Sequence, residues 1–142
     1  MLGQSLEAGA VAGVTRVKNP IEAAYAVLTH SPHVLLSGSG ADRFAEQQGL
    51  TMVENSYFST PRRVEALKLF RLKHNDKSAQ GGDEKFGTVG VVVLDAAGNL
   101  AAGTSTGGMT GNRWGRIGKG NRWKHKDCLK KWYALHLHYQ FP

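Results

Sequence analysis

Residues 87–118 decide the fold and have the sequence GTVGVVVLDAAGNLAAGTSTGGMTGNRWGRIG. Two strand-like runs, Thr88–Asp95 and Asn99–Thr106, are separated by three small residues that end in Gly98, which suits a tight turn. This pattern predicts a β-hairpin. Its first strand begins with a threonine that directly follows the glycine at position 87.

The segment before the hairpin carries alternating strand and helix signals. Ala8–Thr15 is a run of small and β-branched residues, typical of a closely packed strand. A helix then begins at Asn19-Pro20-Ile21-Glu22 and runs to about His30, with Asn19 as its cap and Glu22 reaching back as in a capping box. Three further elements are predicted: a short buried strand at His33–Leu36, a helix at Ala41–Gln48 ended by Gly49, and a helix at Arg62–His74 with an apolar face of Val64, Leu67, Leu69, Phe70 and Leu72.

Composition divides the chain into unlike parts. Residues 1–110 contain ten basic and ten acidic side chains, whereas residues 111–142 contain eight basic side chains and one acid, and so carry the whole net charge of +7. Residues 75–86 are mostly polar and contain two adjacent glycines, as in a solvated linker. We therefore expect a segment 1–86 that includes this linker, a segment 87–118 that contains the hairpin, and a basic tail 119–142.

The same counts limit the class of protein. A length of 142 residues, with 41% hydrophobic and 20% charged residues, favours one globular domain over a disordered chain. No apolar run approaches the roughly 20 residues of a membrane helix. The start, Met1-Leu2-Gly3-Gln4, lacks the parts of a signal peptide, so we expect a cytoplasmic protein with no membrane partner. The single cysteine, Cys128, excludes an internal disulfide framework.

The pair Gly87-Thr88 has two interpretations from the residues alone. Threonine is a common strand former, and Thr88 is then an ordinary first residue of a strand. Alternatively, cleavage of the Gly87–Thr88 bond releases an α-amine beside the threonine hydroxyl, and an amine with a pKa of about 8 can accept the hydroxyl proton. In that case the chain carries an N-terminal nucleophile that needs no histidine.

The surrounding sequence favours the second interpretation. The string 87–118, with its GTVG and TSTGGMT blocks, resembles the start of the catalytic β-subunit of plant-type asparaginases, also called isoaspartyl peptidases. The upstream stretches AGAVAGVTRVKNPIEAA and SPHVLLSGSGADRFAEQQGL resemble the α-subunit of the same family of N-terminal nucleophile hydrolases. The resemblance implies an α/β (α+β) fold, a partial four-layer αββα sandwich with incomplete sheets.

The resemblance also implies the site residues, position by position. Gly87–Thr88 is the autocleavage bond, Thr88 attacks a β-aspartyl or asparagine amide, and Thr106 is a second catalytic threonine that helps to activate it. Arg116 matches the arginine that binds the substrate α-carboxylate, for which a planar guanidinium is suited, with Gly118 in the same substrate-binding stretch. Taken alone, the Thr106 hydroxyl also suits a turn that needs a local acceptor, and Arg116 is also one of the eight basic residues concentrated in 111–142.

The sequence departs from the family pattern after Gly118. Family members continue with Asp-Ser-Pro, whose aspartate holds the substrate amino group, whereas Lys119 stands there in this chain. In this resemblance Met1 aligns with the interior of the α-subunit, and the family's sodium loop has no counterpart in the chain. Residues 119–142 match no part of the family, as expected after a frameshift. We therefore expect no cofactor and a truncated chain that is inactive or nearly so. From the family we expect an assembly of two α and two β pieces that acts on asparagine or β-aspartyl dipeptides.

The basic tail offers three other signals. Lysine and arginine interleaved with tryptophan across residues 113–132 are typical of nucleic-acid binding, at most non-specific, which is the non-enzymatic alternative to the hydrolase hypothesis. The alternation of apolar and polar residues at 135–141 is typical of a strand. Four residues have zinc-ligand chemistry without a standard spacing, so no metal site is expected: His125, Cys128, His136 and His138.

Overall fold

The computed structural model describes residues 2, 5, 7–73, 88–112, 114–117 and 138–139. Among these residues, short strands form two small sheets and helices alternate with them along the chain. This arrangement confirms the predicted α/β class with incomplete sheets. The elements in chain order are β1 (Ala10–Val14), α1 (Pro20–His30), β2 (Leu35–Ser37), α2 (Gly38–Gln47), a 3-10 turn (Asn55–Phe58), α3 (Pro61–Lys73), β3 (Val89–Leu94), β4 (Leu100–Ser105) and β5 (His138–Tyr139). In these described ranges, no helix is both long and apolar enough to cross a membrane.

The first sheet is built around β1. This strand pairs in parallel with β2 on one side and with β5 on the other. Helices α1 and α2 pack against it, and Gly9 permits the close approach of α1, because a Cβ at that position would lie 2.8 Å from the Cβ of Leu28. The buried residues between these elements form one core: Val11, Val14, Val17, Ala23, Ala24, Val27, Ala41 and Ala45.

The second sheet is the predicted hairpin. β3 and β4 are antiparallel, in a register that pairs Val89 with Ser105 and Leu94 with Leu100. Gly98 adopts a φ of +83°, a left-handed conformation that glycine reaches without the steric cost of a Cβ. The hairpin and its turn are therefore confirmed.

Asp95 holds the turn of the hairpin together. Its Oδ1 accepts hydrogen bonds from the backbone N–H groups of Ala97, at 2.9 Å, and Asn99, at 2.8 Å. Its Oδ2 accepts a third from the Asn99 side chain, also at 2.8 Å. These bonds, chiefly that from the Asn99 side chain, lower the pKa of the Asp95 carboxyl below its ordinary value.

The two sheets differ sharply in burial. All six residues of β3 are exposed, whereas β4 is largely half-buried, because β4 faces α1. The contact is close, since a Cβ at Gly103 would lie 3.3 Å from Cδ1 of Ile21. The outer edge of β4 also carries a bridge between Ala101 and Leu2, while the outer edge of β3 has no strand partner among the described residues.

Two details predicted around α1 were wrong. The strand expected at His33–Leu36 is β2, shifted toward the C-terminus and not buried, because it is an edge strand; Leu35 is 46% exposed. The capping box also does not form. The Asn19 side chain donates instead to Oε1 of Glu22, at 3.1 Å, so it does not cap a backbone N–H of the helix.

The later helices also differ from expectation. α2 begins at Gly38, three residues before the predicted start, and ends at Gln47, one residue before the predicted end. The predicted apolar face of α3 is largely exposed, with 52% of Leu69 and 72% of Leu72 accessible to solvent. Phe70 on this helix lies against Gly111, where a Cβ would collide with the phenyl ring. The predicted linker 75–86 lies outside the described residues, so the three-part division of the chain stays a prediction.

Candidate functional site

The open end of the hairpin brings two predicted site residues together. Thr88 directly precedes β3 and is exposed, and Thr106 directly follows β4 and is half-buried. The β3–β4 ladder ends at the pair Val89 and Ser105, so Thr88 and Thr106 are the next residues at the open end of the hairpin. The two predicted site threonines therefore lie at the same end of the hairpin.

Thr106 makes a local hydrogen bond. Its Oγ1 accepts a hydrogen bond from the backbone N–H of Gly108 at 3.2 Å. A local hydrogen bond in a turn is the alternative role that the sequence analysis gave for this threonine. A hydroxyl that accepts one hydrogen bond still has its own proton to donate. The hydrogen bond from Gly108 therefore orients the Thr106 hydroxyl and does not use its proton.

Arg116 lies in the loop after β4, and two other residues of that loop hold it. Its Nη1 donates to Sδ of Met109 at 3.1 Å, and its carbonyl accepts a hydrogen bond from Nδ2 of Asn112 at 2.8 Å. The Asn112 backbone N–H in turn donates to the carbonyl of Met109 at 3.2 Å. The guanidinium is exposed and keeps most of its donors for an anion.

Left-handed backbone conformations bend this loop sharply. Gly111 has a φ of +73°, Trp114 of +55° and Gly115 of +66°. The value at Trp114 is uncommon for a residue with a side chain, so the loop has a specific shape that the hydrogen bonds of Asn112 must maintain. The sequence analysis assigned no role to Asn112 or to Met109, although Met109 lies in the TSTGGMT block.

Asp42 is a buried polar residue that the sequence analysis missed. It is 6% exposed, and its Oδ2 accepts hydrogen bonds from the Thr15 N–H at 3.1 Å and the Thr15 hydroxyl at 2.9 Å, while its Oδ1 accepts the Arg16 N–H at 3.2 Å. These bonds fix the loop that follows β1. A signal was available, because Asp42 lies between Ala41 and Ala45 on the apolar side of α2.

An open cavity of about 480 Å³ lies beside α1. Its lining is mainly apolar and includes Ile21, Tyr25, Ala26 and Leu50. Neither of the site threonines nor Arg116 lines this cavity. The Thr88 side chain is thus presented on an exposed strand end.

Several predicted residues lie outside the described part of the chain. These are Gly87, Gly118 and Lys119, and also His125, Cys128 and His136 of the zinc candidate. His138 is described as part of β5, which fits the strand predicted near the C-terminus. Within the described ranges, no three His, Cys, Asp or Glu residues come together as metal ligands. Nucleic-acid binding through 113–132 stays a prediction.

Comparison with known proteins identifies the family. The family model described as asparaginase matches residues 1–121. Over 123 aligned residues the chain is 50% identical to an isoaspartyl peptidase of Salmonella typhimurium and 49% identical to one of Escherichia coli, with 83% of this chain covered in each case. It is also 42% identical over 120 residues to an isoaspartyl peptidase/L-asparaginase of Mus musculus. The chain spans 39%, 38% and 36% of the lengths of these relatives, or roughly two fifths. These matches confirm the resemblance, and the chain belongs to the asparaginase family.

Proposed function

We propose that this chain derives from an amide hydrolase of β-aspartyl (isoaspartyl) peptides and L-asparagine, with Thr88 as its nucleophile. The relatives are an isoaspartyl peptidase and an isoaspartyl peptidase/L-asparaginase, and these names support the reaction class. The observation that supports the assignment to Thr88 is its position at the open end of the hairpin, where Thr88 directly precedes β3 and Thr106 directly follows β4.

The nucleophile is released by cleavage of the bond before it. The Thr88 hydroxyl oxygen attacks the carbonyl carbon of Gly87, the peptide C–N bond breaks, and water hydrolyses the resulting ester. This leaves a carboxylate on Gly87 and an α-amine on Thr88. The step is intramolecular and needs no substrate contacts, because the attacked carbonyl is held next to the hydroxyl by the chain itself.

Turnover of a substrate uses the same hydroxyl. The free amine of Thr88 accepts the hydroxyl proton, and the oxygen attacks the side-chain amide carbon of the substrate. Ammonia or an amine leaves, and water hydrolyses the acyl-threonine to a carboxylate. Thr106 donates a hydrogen bond toward the nucleophile, and the exposed Arg116 guanidinium binds the substrate α-carboxylate through paired N–H donors.

We further propose that these 142 residues by themselves turn over substrate poorly or not at all. Lys119 stands where family members carry the aspartate that holds the substrate amino group, and a cation there repels an ammonium. Thr88 also lies on an exposed strand end, where water competes with the hydrogen bonds that a transition state needs. The family assembly of two α and two β pieces is part of the same proposal.

A chimera separates the reaction class from the activity of this chain. Residues 1–118 replace the matching segment of the Salmonella typhimurium relative, and release of aspartate from a β-aspartyl dipeptide is measured. We expect the chimera to turn over substrate. Thr88→Ala should lower its kcat/KM by at least about 10³-fold because the nucleophile is gone, and Arg116→Lys should raise its KM. The matched control Thr104→Ala keeps the nucleophile. A chimera in which Thr88→Ala and Thr104→Ala are equally active would refute the assignment.

Aspartate release by the 142-residue chain tests the second claim. We expect L-asparagine and a β-aspartyl dipeptide to give the same background rate with the wild-type chain and with Thr88→Ala. A wild-type rate clearly above that of Thr88→Ala would overturn the proposed inactivity, and it would leave the nucleophile assignment in place.

A further inference from the structure

Phe70 of α3 lies against the loop that carries Arg116. Its ring packs on Gly111, where a Cβ would lie 2.7 Å from Cδ1 of the ring, a separation that non-bonded carbon atoms do not reach. Phe70 is half-buried, whereas Leu69 and Leu72 on the same helix are exposed. The contact therefore joins the phenyl ring directly to the backbone of the loop, and it requires a glycine at position 111.

Gly111 forms the corner of a turn that Asn112 closes. The backbone N–H of Asn112 donates to the carbonyl of Met109 at 3.2 Å, and Gly111, the third residue of this turn, has a φ of +73°. The Asn112 side chain then donates to the carbonyl of Arg116 at 2.8 Å. A displacement of Gly111 therefore moves Asn112 and, through its side-chain hydrogen bond, the backbone of Arg116.

The guanidinium of Arg116 is held on the same turn. Its Nη1 donates to Sδ of Met109 at 3.1 Å. A thioether is a weak acceptor, so this contact orients the guanidinium without neutralising its charge. A side chain that is oriented before binding loses less conformational entropy when the ligand arrives. The turn at Gly111 thus fixes both the backbone and the side chain of Arg116.

We propose that Phe70 is a positioning residue for Arg116: its ring holds Gly111 in place, and the turn then presents the guanidinium to the substrate α-carboxylate. This inference rests on the proposed binding role of Arg116. Phe70 precedes the proposed cleavage bond Gly87–Thr88 and Gly111 follows it, so the contact joins the two pieces that cleavage produces. The piece that carries the nucleophile therefore depends on the other piece for the orientation of its arginine.

The mobility of the Arg116 side chain in the 142-residue chain tests this proposal without any need for activity. All proteins carry Thr88→Ala, so that the result does not depend on cleavage before that residue, and nitrogen-15 relaxation gives the order parameter of the Arg116 Nε–H. We expect Phe70→Ala to lower this order parameter by at least about 0.2, because the turn is no longer held. The control Leu72→Ala removes a side chain of the same helix that is 72% exposed and should have no effect. The conservative variant Phe70→Tyr keeps the ring and should also have none.

Turnover by the chimera that contains residues 1–118 distinguishes a positioning role from a loss of folding. Phe70→Ala should raise the KM for a β-aspartyl dipeptide at least about fivefold and keep kcat within about twofold, because the nucleophile is untouched. When Arg116→Ala is already present, Phe70→Ala should raise KM no further, since it acts only through that arginine.

Gly111→Ala displaces the ring from the other side of the contact and should reproduce both changes caused by Phe70→Ala. Equal Arg116 order parameters in Phe70→Ala and Leu72→Ala would overturn the proposal. A fall in kcat with KM unchanged, or a KM effect that adds to that of Arg116→Ala, would also contradict it. A chimera whose turnover is unaffected by Thr88→Ala would instead count against the proposed function, and the order parameters would still decide whether Phe70 positions Arg116.

Discussion

Valine has opposite environments in the two halves of this molecule. Val11, Val14 and Val27 around β1 are fully buried, whereas Val91 and Val93 of β3 are more than half exposed. The N-terminal unit closes its core with two helices against one sheet, while the hairpin is covered on the β4 side by α1. The proposed nucleophile Thr88 lies on the less covered half. The local sequence predicts the hairpin, but the elements that pack against it decide whether its end is shielded from solvent.

The largest effect on stability is expected at Asp42. Asp42→Ala leaves the N–H groups of Thr15 and Arg16 without their acceptor in a partly buried loop, which costs about 3 kcal/mol of unfolding free energy. Chemical denaturation followed by far-UV circular dichroism measures the change. The control Asp42→Asn keeps an acceptor oxygen and should lose less. Equal stability of Asp42→Ala and wild type would show that this loop is not held by the carboxylate.

A matched pair of valine truncations tests the contrast between the halves directly. Val27→Ala leaves a cavity in a closed core and should cost about 2 kcal/mol. Val91→Ala removes a side chain that is 58% exposed and should cost less than about 0.5 kcal/mol. Denaturation midpoints measure both. Equal costs would mean that the hairpin is as well packed as the core.

The turn of the hairpin is sensitive to backbone conformation. Gly98→Ala forces an alanine to a φ of +83° and should destabilise the hairpin by about 1 kcal/mol. The matched control Gly40→Ala, in the helix α2 and with no neighbour within 4 Å of the new Cβ, should instead stabilise the chain by about 0.5–1 kcal/mol. Thermal unfolding measures both changes in stability, and a Gly98→Ala variant more stable than the wild type would contradict the assigned turn.

The smallest effect is a pH dependence of the same turn. Hydrogen bonds from Asn99 and Ala97 lower the pKa of Asp95 from its ordinary 3.8, so the ionised form favours the folded turn. This contribution is present above pH 3.8 and is lost as the pH falls through the lowered value. The Asn99 amide chemical shift should titrate with a midpoint below 3.8, and Asp95→Asn should abolish that step. A midpoint at or above 3.8 would contradict this assignment.

Elements with strong local signals were predictable from the sequence. α1 runs from Pro20 to His30 as predicted, because proline favours the first turn of a helix and Ser31-Pro32 ends it. The hairpin was equally clear, because the turn ends in Gly98 and apolar runs flank it. Burial was not predictable in the same way. The exposure of β2 depends on which elements pack together, and local patterns do not contain that information.

The members of the candidate site stay predictions, and the residues that support them were not predicted. Thr88, Thr106 and Arg116 were identified from the family resemblance. The hydrogen bonds that hold Arg116 involve Asn112 and Met109, to which the sequence analysis assigned no role. Their arrangement depends on four left-handed residues in one loop, and one of these, Trp114, is a residue type for which the sequence gives no expectation of that conformation.

The most direct test of the central claim, that Thr88 is a nucleophile released by cleavage of the preceding bond, is the intact mass of the purified chain together with N-terminal sequencing. We expect two pieces, residues 1–87 and 88–142, the second beginning with Thr88, and one uncut chain for Thr88→Ala. The neighbouring substitution Thr104→Ala should be cut like the wild type. A wild-type chain that stays whole, or a new N-terminus at any other residue, would contradict the claim.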